Sequence, residues 1–155
     1  MKELKEGDLA PAFSGINQHG KQIRLSDFKG KKVILYFYPK DNTPGCTAEA
    51  CNFNDNYSAL TNNGFEVVGV SPDSQTSHQK FMDKFGLKFN LIADAEKKIL
   101  EAYNAYGEKN MYGKTVMGVL RTTYVIDENG LIVKIIKKVD TKASTAQVLK
   151  ELNMQ

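Results

Sequence analysis

Val33-Ile34-Leu35-Tyr36-Phe37-Tyr38-Pro39-Lys40-Asp41-Asn42-Thr43-Pro44-Gly45-Cys46-Thr47-Ala48-Glu49-Ala50-Cys51 reads as a strand, a turn and the start of a helix. A half-exposed strand alternates polar and apolar residues, whereas Val33 to Tyr38 is continuously apolar and β-prone, the pattern of a central strand buried on both faces. Pro39 ends it. Thr43 suits a helix N-cap and Pro44 the first helical position, which puts Gly45 and Cys46 in the first turn. Backbone N–H groups there are unpaired and the helix dipole is positive, so a thiolate is favoured over a thiol. From Pro44 to about Asn62, Cys46, Ala50, Phe53, Tyr57 and Leu60 recur at steps of four and three, one stripe along a helix.

Cys46 and Cys51 are the chain's 2 cysteines. Residues five apart on an ideal helix have Cα atoms roughly 8.7 Å apart, and a disulfide needs less than about 7 Å. The pair can therefore coexist reduced in an intact helix, and oxidation to a disulfide requires its first turns to unwind. Cys51 as a plain residue at the core margin is the alternative that spacing leaves open. A helix terminus contributes at most about 2 kcal/mol, less than the roughly 3 kcal/mol that makes a free thiol mostly anionic at neutral pH, so a cation is needed as well. Lys40, just past a strand end, reads as solvated. Arg121 opens the strand Arg121-Thr122-Thr123-Tyr124-Val125-Ile126 and is the better partner, although spacing alone does not separate that role from an ordinary salt bridge.

Ala12 to Ile16 and Lys21 to Leu25 flank Asn17-Gln18-His19-Gly20 as a hairpin. Phe65 to Val70 is a second buried strand, followed by a helix over 74–85, a strand over 89–92 and a helix over 96–103. Strands over 122–126 and 131–139 are joined through Asn129-Gly130, and a helix over 144–152 closes the pattern. This alternation predicts an α/β fold: a thioredoxin-like three-layer sandwich with a mixed central sheet and an additional N-terminal β-hairpin, the whole of 1–155 forming one domain. His19 in a turn and His78 on a polar helix segment read as surface residues.

Composition narrows the function classes. At 41% hydrophobic and 25% charged residues the 155-residue chain is an ordinary folded protein. Its charge of 21 − 18 = +3 comes from lysines scattered singly or in pairs. That is a solvated surface and not the clustered footprint of a nucleic-acid binder. No segment reads as membrane-spanning or as a signal peptide, so the expected compartment is the cytoplasm, where two cysteines suit a reversible disulfide better than a structural one. There is no Cys-x-x-Cys, the cysteines lack nearby histidines for zinc, and no phosphate loop or nucleotide fingerprint occurs, so no cofactor or metal is expected.

Tyr36 to Cys51, with Pro39, Thr43 and Cys46 in a Pro-x-x-x-Thr-x-x-Cys pattern, resembles the active site of a peroxiredoxin, more narrowly of the bacterioferritin comigratory protein or peroxiredoxin Q subfamily. The resemblance extends to Gly69-Val70-Ser71-Pro72-Asp73-Ser74, Met111-Tyr112-Gly113-Lys114 and Gly118 to Asp127, nearly the whole chain. It implies a thiol peroxidase in which Cys46 is the peroxidatic nucleophile and Cys51 the resolving cysteine. Thr43 and Arg121 would position the peroxide and stabilise the thiolate, Pro39 would shield the pocket, and Glu49 would orient Arg121. It further implies hydrogen peroxide and organic hydroperoxides as substrates, an intramolecular Cys46–Cys51 disulfide, a thioredoxin-type reductant and a monomer. A redox-responsive binding or chaperone-like protein using the same disulfide is the alternative from another class.

Overall fold

The computed structural model describes residues 3–154. β1 (Ser14–Ile16) and β2 (Gln22–Arg24) form the N-terminal hairpin. There follow β3 (Lys32–Phe37), α1 (Pro44–Asp55), α2 (Tyr57–Asn62), β4 (Phe65–Ser71), α3 (Gln75–Phe85), β5 (Asn90–Ala93) and α4 (Lys98–Ala102). The chain continues through β6 (Tyr106–Met111), β7 (Lys114–Val119), β8 (Thr122–Ile126), β9 (Ile132–Ile136) and α5 (Ser144–Glu151). One seven-stranded sheet runs β2-β1-β5-β4-β3-β8-β9, with β3, β4 and β5 parallel and the pairings of β1 with β5, β8 with β3 and β9 with β8 antiparallel.

The apolar run of β3 feeds both faces of this sheet, because successive side chains alternate sides. Val33, Leu35 and Phe37 pack with Ile99 and Leu100 of α4, Tyr103 and Tyr124. Ile34, Tyr36 and Tyr38 pack with Cys46, Ala50 and Phe53 of α1, Phe81 of α3 and Val148 of α5. The result is the expected three-layer α/β sandwich with a mixed sheet. Among the described residues no helix is long and apolar enough to cross a membrane.

Pairing of Phe37 with Thr122 places the start of β8 beside the end of β3, where α1 begins. Arg121, one residue before Thr122, is thereby delivered to the N-terminus of α1 across 75 residues of sequence.

Two features differ from the sequence reading. The helix expected from Pro44 to about Asn62 breaks at Asn56 (φ −105°, ψ 9°) into α1 and α2. The Asn56 amide donates to the Asn52 carbonyl at 2.8 Å, a side chain-to-backbone bond that competes with helix continuation. In addition, β6 and β7 form a separate two-stranded hairpin where no strands were expected. Its turn needs positive φ at Tyr112 (53°) and Gly113 (80°), a conformation that tyrosine rarely adopts and that announces nothing in the sequence.

Candidate active site

Cys46 is the third residue of α1 and is 1% exposed, facing the sheet. Thr43 holds the N-cap position with extended backbone, but its hydroxyl makes no capping bond; it donates instead to the Lys40 carbonyl at 2.8 Å. The expected N-cap is thus right in place and different in bonding. The first-turn N–H groups are not taken up by the Thr43 side chain, and the Thr43 oxygen, its hydrogen bonded to the Lys40 carbonyl, presents lone pairs. Pro39 is half-buried and Lys40 exposed.

Arg121 bridges two groups of α1. Nη2 lies 3.1 Å from Cys46 Sγ and Nη1 2.7 Å from Glu49 Oε1. Gly45 lies against the guanidinium: a β-carbon there would meet Nη2 at 3.4 Å, an ordinary van der Waals contact. Burial alone would lower the Arg121 value, and the opposing charges of Cys46 and then Glu49 outweigh it and raise it. The Arg121 side chain keeps 25% exposure while Glu49 keeps none, so the solvent edge of the cluster is the guanidinium.

Glu49 is pushed from 4.5 up to about 7 by burial, although Arg121 pulls it down. Because the folded value lies above the unfolded one, the folded chain holds this proton more tightly. The stability it confers is complete below about 4.5 and is lost as pH rises through about 7. In chemical denaturation, wild type relative to Glu49→Gln is therefore expected to lose about 3 kcal/mol across that window, an amount that follows from 1.36 kcal/mol per pKa unit. A difference that is flat with pH would show that Glu49 does not titrate there.

Cys51 is half-buried on α1, and both cysteines are free thiols in the same helix. Burial first, and the neighbouring Asp55 second, push the Cys51 thiol up. Next to it, Asn52 Oδ1 accepts from the Thr145 N–H at 2.9 Å and its amide donates to the Lys142 carbonyl at 3.2 Å. Asn52 thus caps the start of α5 from outside and ties the middle of α1 to the C-terminal segment.

A second cluster escaped the sequence reading. His78 is 0% exposed, not a surface residue. Its Nδ1 lies 2.7 Å from Asp41 Oδ2 and its Nε2 3.1 Å from the Ile92 carbonyl. Asp41 also accepts from Tyr38 Oη at 2.6 Å and Ser77 Oγ at 2.7 Å, and its N–H donates to Asp73 Oδ2 at 2.8 Å. These bonds fasten the turn between β3 and α1 to α3, to Asp73 just past β4 and, through His78, to β5, and Asn42 there has φ 60°. Asp41, Asp73 and His78 bring ligand atoms within 4.8 Å of one another, but the hydrogen bonds above already engage those atoms. A readable signal existed: His78 shares the 78, 81, 82, 85 helical face with Phe81, Met82 and Phe85, the face that turns inward.

Known proteins resemble this chain over most of its length. Residues 7–135 match the AhpC/TSA family. The chain is 44% identical to peroxiredoxin Bcp of Bacillus subtilis over 149 residues, covering 96% of this chain and 95% of that protein. It superimposes on a cysteine-to-serine mutant of Xylella fastidiosa PrxQ with TM-score 0.90 and 31% identity, covering 99% and 98% of the two chains. The Xanthomonas campestris bacterioferritin comigratory protein, whose structure was described for its alkyl peroxide reduction activity, gives TM-score 0.85 at 35% identity, covering 91% and 90%.

Proposed function

Since the chain belongs to the AhpC/TSA family and is a thiol peroxidase of the Bcp and PrxQ type of peroxiredoxin, we propose that it reduces hydrogen peroxide and organic hydroperoxides at Cys46 and recycles through a Cys46–Cys51 disulfide opened by a thioredoxin-type dithiol. The observation that carries this reading is the Cys46 sulfur in the first turn of α1 at 3.1 Å from Arg121 Nη2. The alkyl peroxide activity named for the Xanthomonas campestris relative supports organic hydroperoxides as substrates. The chain acts as one domain and as a monomer in the cytoplasm.

The Cys46 thiolate attacks the terminal oxygen of the peroxide, the O–O bond breaks, and a sulfenic acid forms as water or an alcohol leaves. Each polar group has a matching part. Arg121 and the first-turn N–H groups donate to the peroxide oxygens, where negative charge spreads in the transition state. The Thr43 oxygen accepts a hydrogen bond from the peroxide O–H, because its own hydrogen is engaged by the Lys40 carbonyl. Pro39 closes the pocket against water.

Recycling follows from the helix. Within intact α1, burial and Asp55 keep the Cys51 thiol poorly nucleophilic. Unwinding the first turns removes both influences as it brings the sulfurs together, so release of the helix also activates the second thiol. The Asn52 link to Thr145 and Lys142 sets the far limit of that unwinding.

Two results test this part. Cys51→Ser should still consume one equivalent of peroxide but lose thioredoxin-supported turnover, by about a hundredfold or more. Amide exchange over residues 44–51 should rise on oxidation of the wild-type chain, with Phe53 to Asp55 protected throughout. Full turnover without Cys51, or unchanged protection after oxidation, would remove the disulfide cycle.

A further inference from the structure

The cluster around Cys46 holds one cation and two candidate anions. Arg121 contacts Cys46 Sγ through Nη2 and Glu49 Oε1 through Nη1, so a fully ionised trio carries one excess negative charge beside the sheet. Glu49 has no exposed surface, and its Oε2 is buried without a hydrogen-bond partner. Tyr36 Oη is the other such atom among the described residues. A carboxylate oxygen in that position lacks any donor to replace water, a heavier cost than for a neutral acid. Two anions drawing on one cation in a dry site do not both ionise freely; one keeps a proton.

We propose that Cys46 and Glu49 share a single negative charge opposite Arg121, so that Glu49 carries a proton while the sulfur is anionic and releases it when the sulfur is oxidised. This rests on the peroxidase reading above. The elements packed around Glu49 present Arg121 at the head of β8, Cys46 on its own helix and Tyr36 on β3. The start of α5 contributes the Ser144 hydroxyl, which donates to the Glu49 carbonyl at 3.1 Å. Tyr36 is held well above its usual range by burial first and then by Glu49 and Cys46, so it stays neutral and Arg121 is the cation of the cluster. The high value of Glu49 agrees with a proton retained near neutrality.

The bookkeeping of the oxidising step closes on this proton. An S–O bond forms to the terminal peroxide oxygen and the O–O bond breaks; sulfur is oxidised, and the leaving oxygen is reduced and needs a proton to become water or alcohol. The sulfenic acid is neutral, so Arg121 loses its sulfur partner and Glu49 ionises in its place. The proton released by Glu49 equals the one gained by the leaving oxygen, and the step draws none from solution in net. Glu49 makes no contact with the reacting oxygens in this role; it is a positioning and charge-holding residue acting through Arg121.

The test uses the full-length Cys51→Ser chain, which stops at the sulfenic acid, and hydrogen peroxide at about pH 6, where a carboxyl titrating near 7 is protonated. Infrared difference spectra should show loss of a protonated-carboxyl band on oxidation, absent when Glu49→Gln is added. An indicator dye should register uptake of about one proton per oxidised sulfur only in the Glu49→Gln chain. In Cys46→Ser, which has no anionic sulfur, the band should titrate away at lower pH than in the reduced Cys51→Ser chain, and that comparison decides the matter if Glu49→Gln does not fold. An unchanged band on oxidation, the same loss without Glu49, or a band that titrates at the same pH with and without the Cys46 sulfur would overturn charge sharing while leaving the peroxidase intact. Failure of Cys51→Ser to be oxidised at all would overturn both.

Discussion

Cys46→Ser is expected to lower peroxide turnover by more than about a thousandfold while leaving the fold in place. The sulfur is 1% exposed, and serine puts a smaller hydroxyl in the same position, still within reach of the Arg121 guanidinium that now sits 3.1 Å from Sγ. What disappears is chemical: an alcohol stays protonated at neutral pH, and its oxygen cannot be oxidised to a counterpart of the sulfenic acid. The first turn of α1, Arg121 and Thr43 remain able to bind peroxide but have no nucleophile to present to it. Peroxide consumption measured beside the far-ultraviolet circular dichroism of the same sample separates lost chemistry from lost structure. Retained turnover with Cys46 absent would place the reaction elsewhere.

Arg121→Met is expected to cost about a hundred- to a thousandfold in the rate of peroxide reduction, the usual effect of deleting a donor aimed at developing negative charge. Here the loss is compounded, because the same guanidinium serves Cys46 and Glu49 through different nitrogens. Arg121→Lys should recover only part of the rate, since an ammonium is a point charge and cannot hold the two-pronged geometry. The stability cost should fall short of the about 3–5 kcal/mol typical of orphaning a buried ion, because Glu49 holds its proton near neutrality and is not left as an unpaired charge. Stopped-flow oxidation of both variants, with denaturant melts alongside, checks the rate and stability arms separately. A rate within about threefold of wild type for Arg121→Met would remove the cation from the mechanism.

Much of this was legible in the sequence because short-range rules govern the stretch that matters. The continuous apolar run of β3, the Pro39 stop and the Thr43-Pro44 start fix where a strand yields to a helix, and the stripe from Cys46 to Phe53 fixes which face turns inward. Arg121 was readable only as one of two possibilities, since its arrival at α1 depends on the Phe37–Thr122 register, a long-range fact. The break at Asn56 was hidden because Tyr57 and Leu60 continue the helical spacing straight across it. The β6–β7 hairpin was hidden for the opposite reason: Met111, Tyr112, Val116 and Met117 are all exposed, so no buried face imposes an alternating pattern. His78 was misplaced because hydrogen bonds to Asp41 and the Ile92 carbonyl offset its burial, and those partners come from other elements.

One equivalent of hydrogen peroxide added to the reduced wild-type chain, followed by mass mapping of the peptides without reduction, puts the whole scheme to a single reading. The expected product is one chain in which Cys46 and Cys51 are joined to each other, with dimedone-trapped sulfenic acid on Cys46 when Cys51 is replaced by serine. An oxygen on Cys51 with Cys46 untouched, or cysteines joined between two chains, would refute the assignment of Cys46 as the attacking sulfur and α1 as the segment that opens.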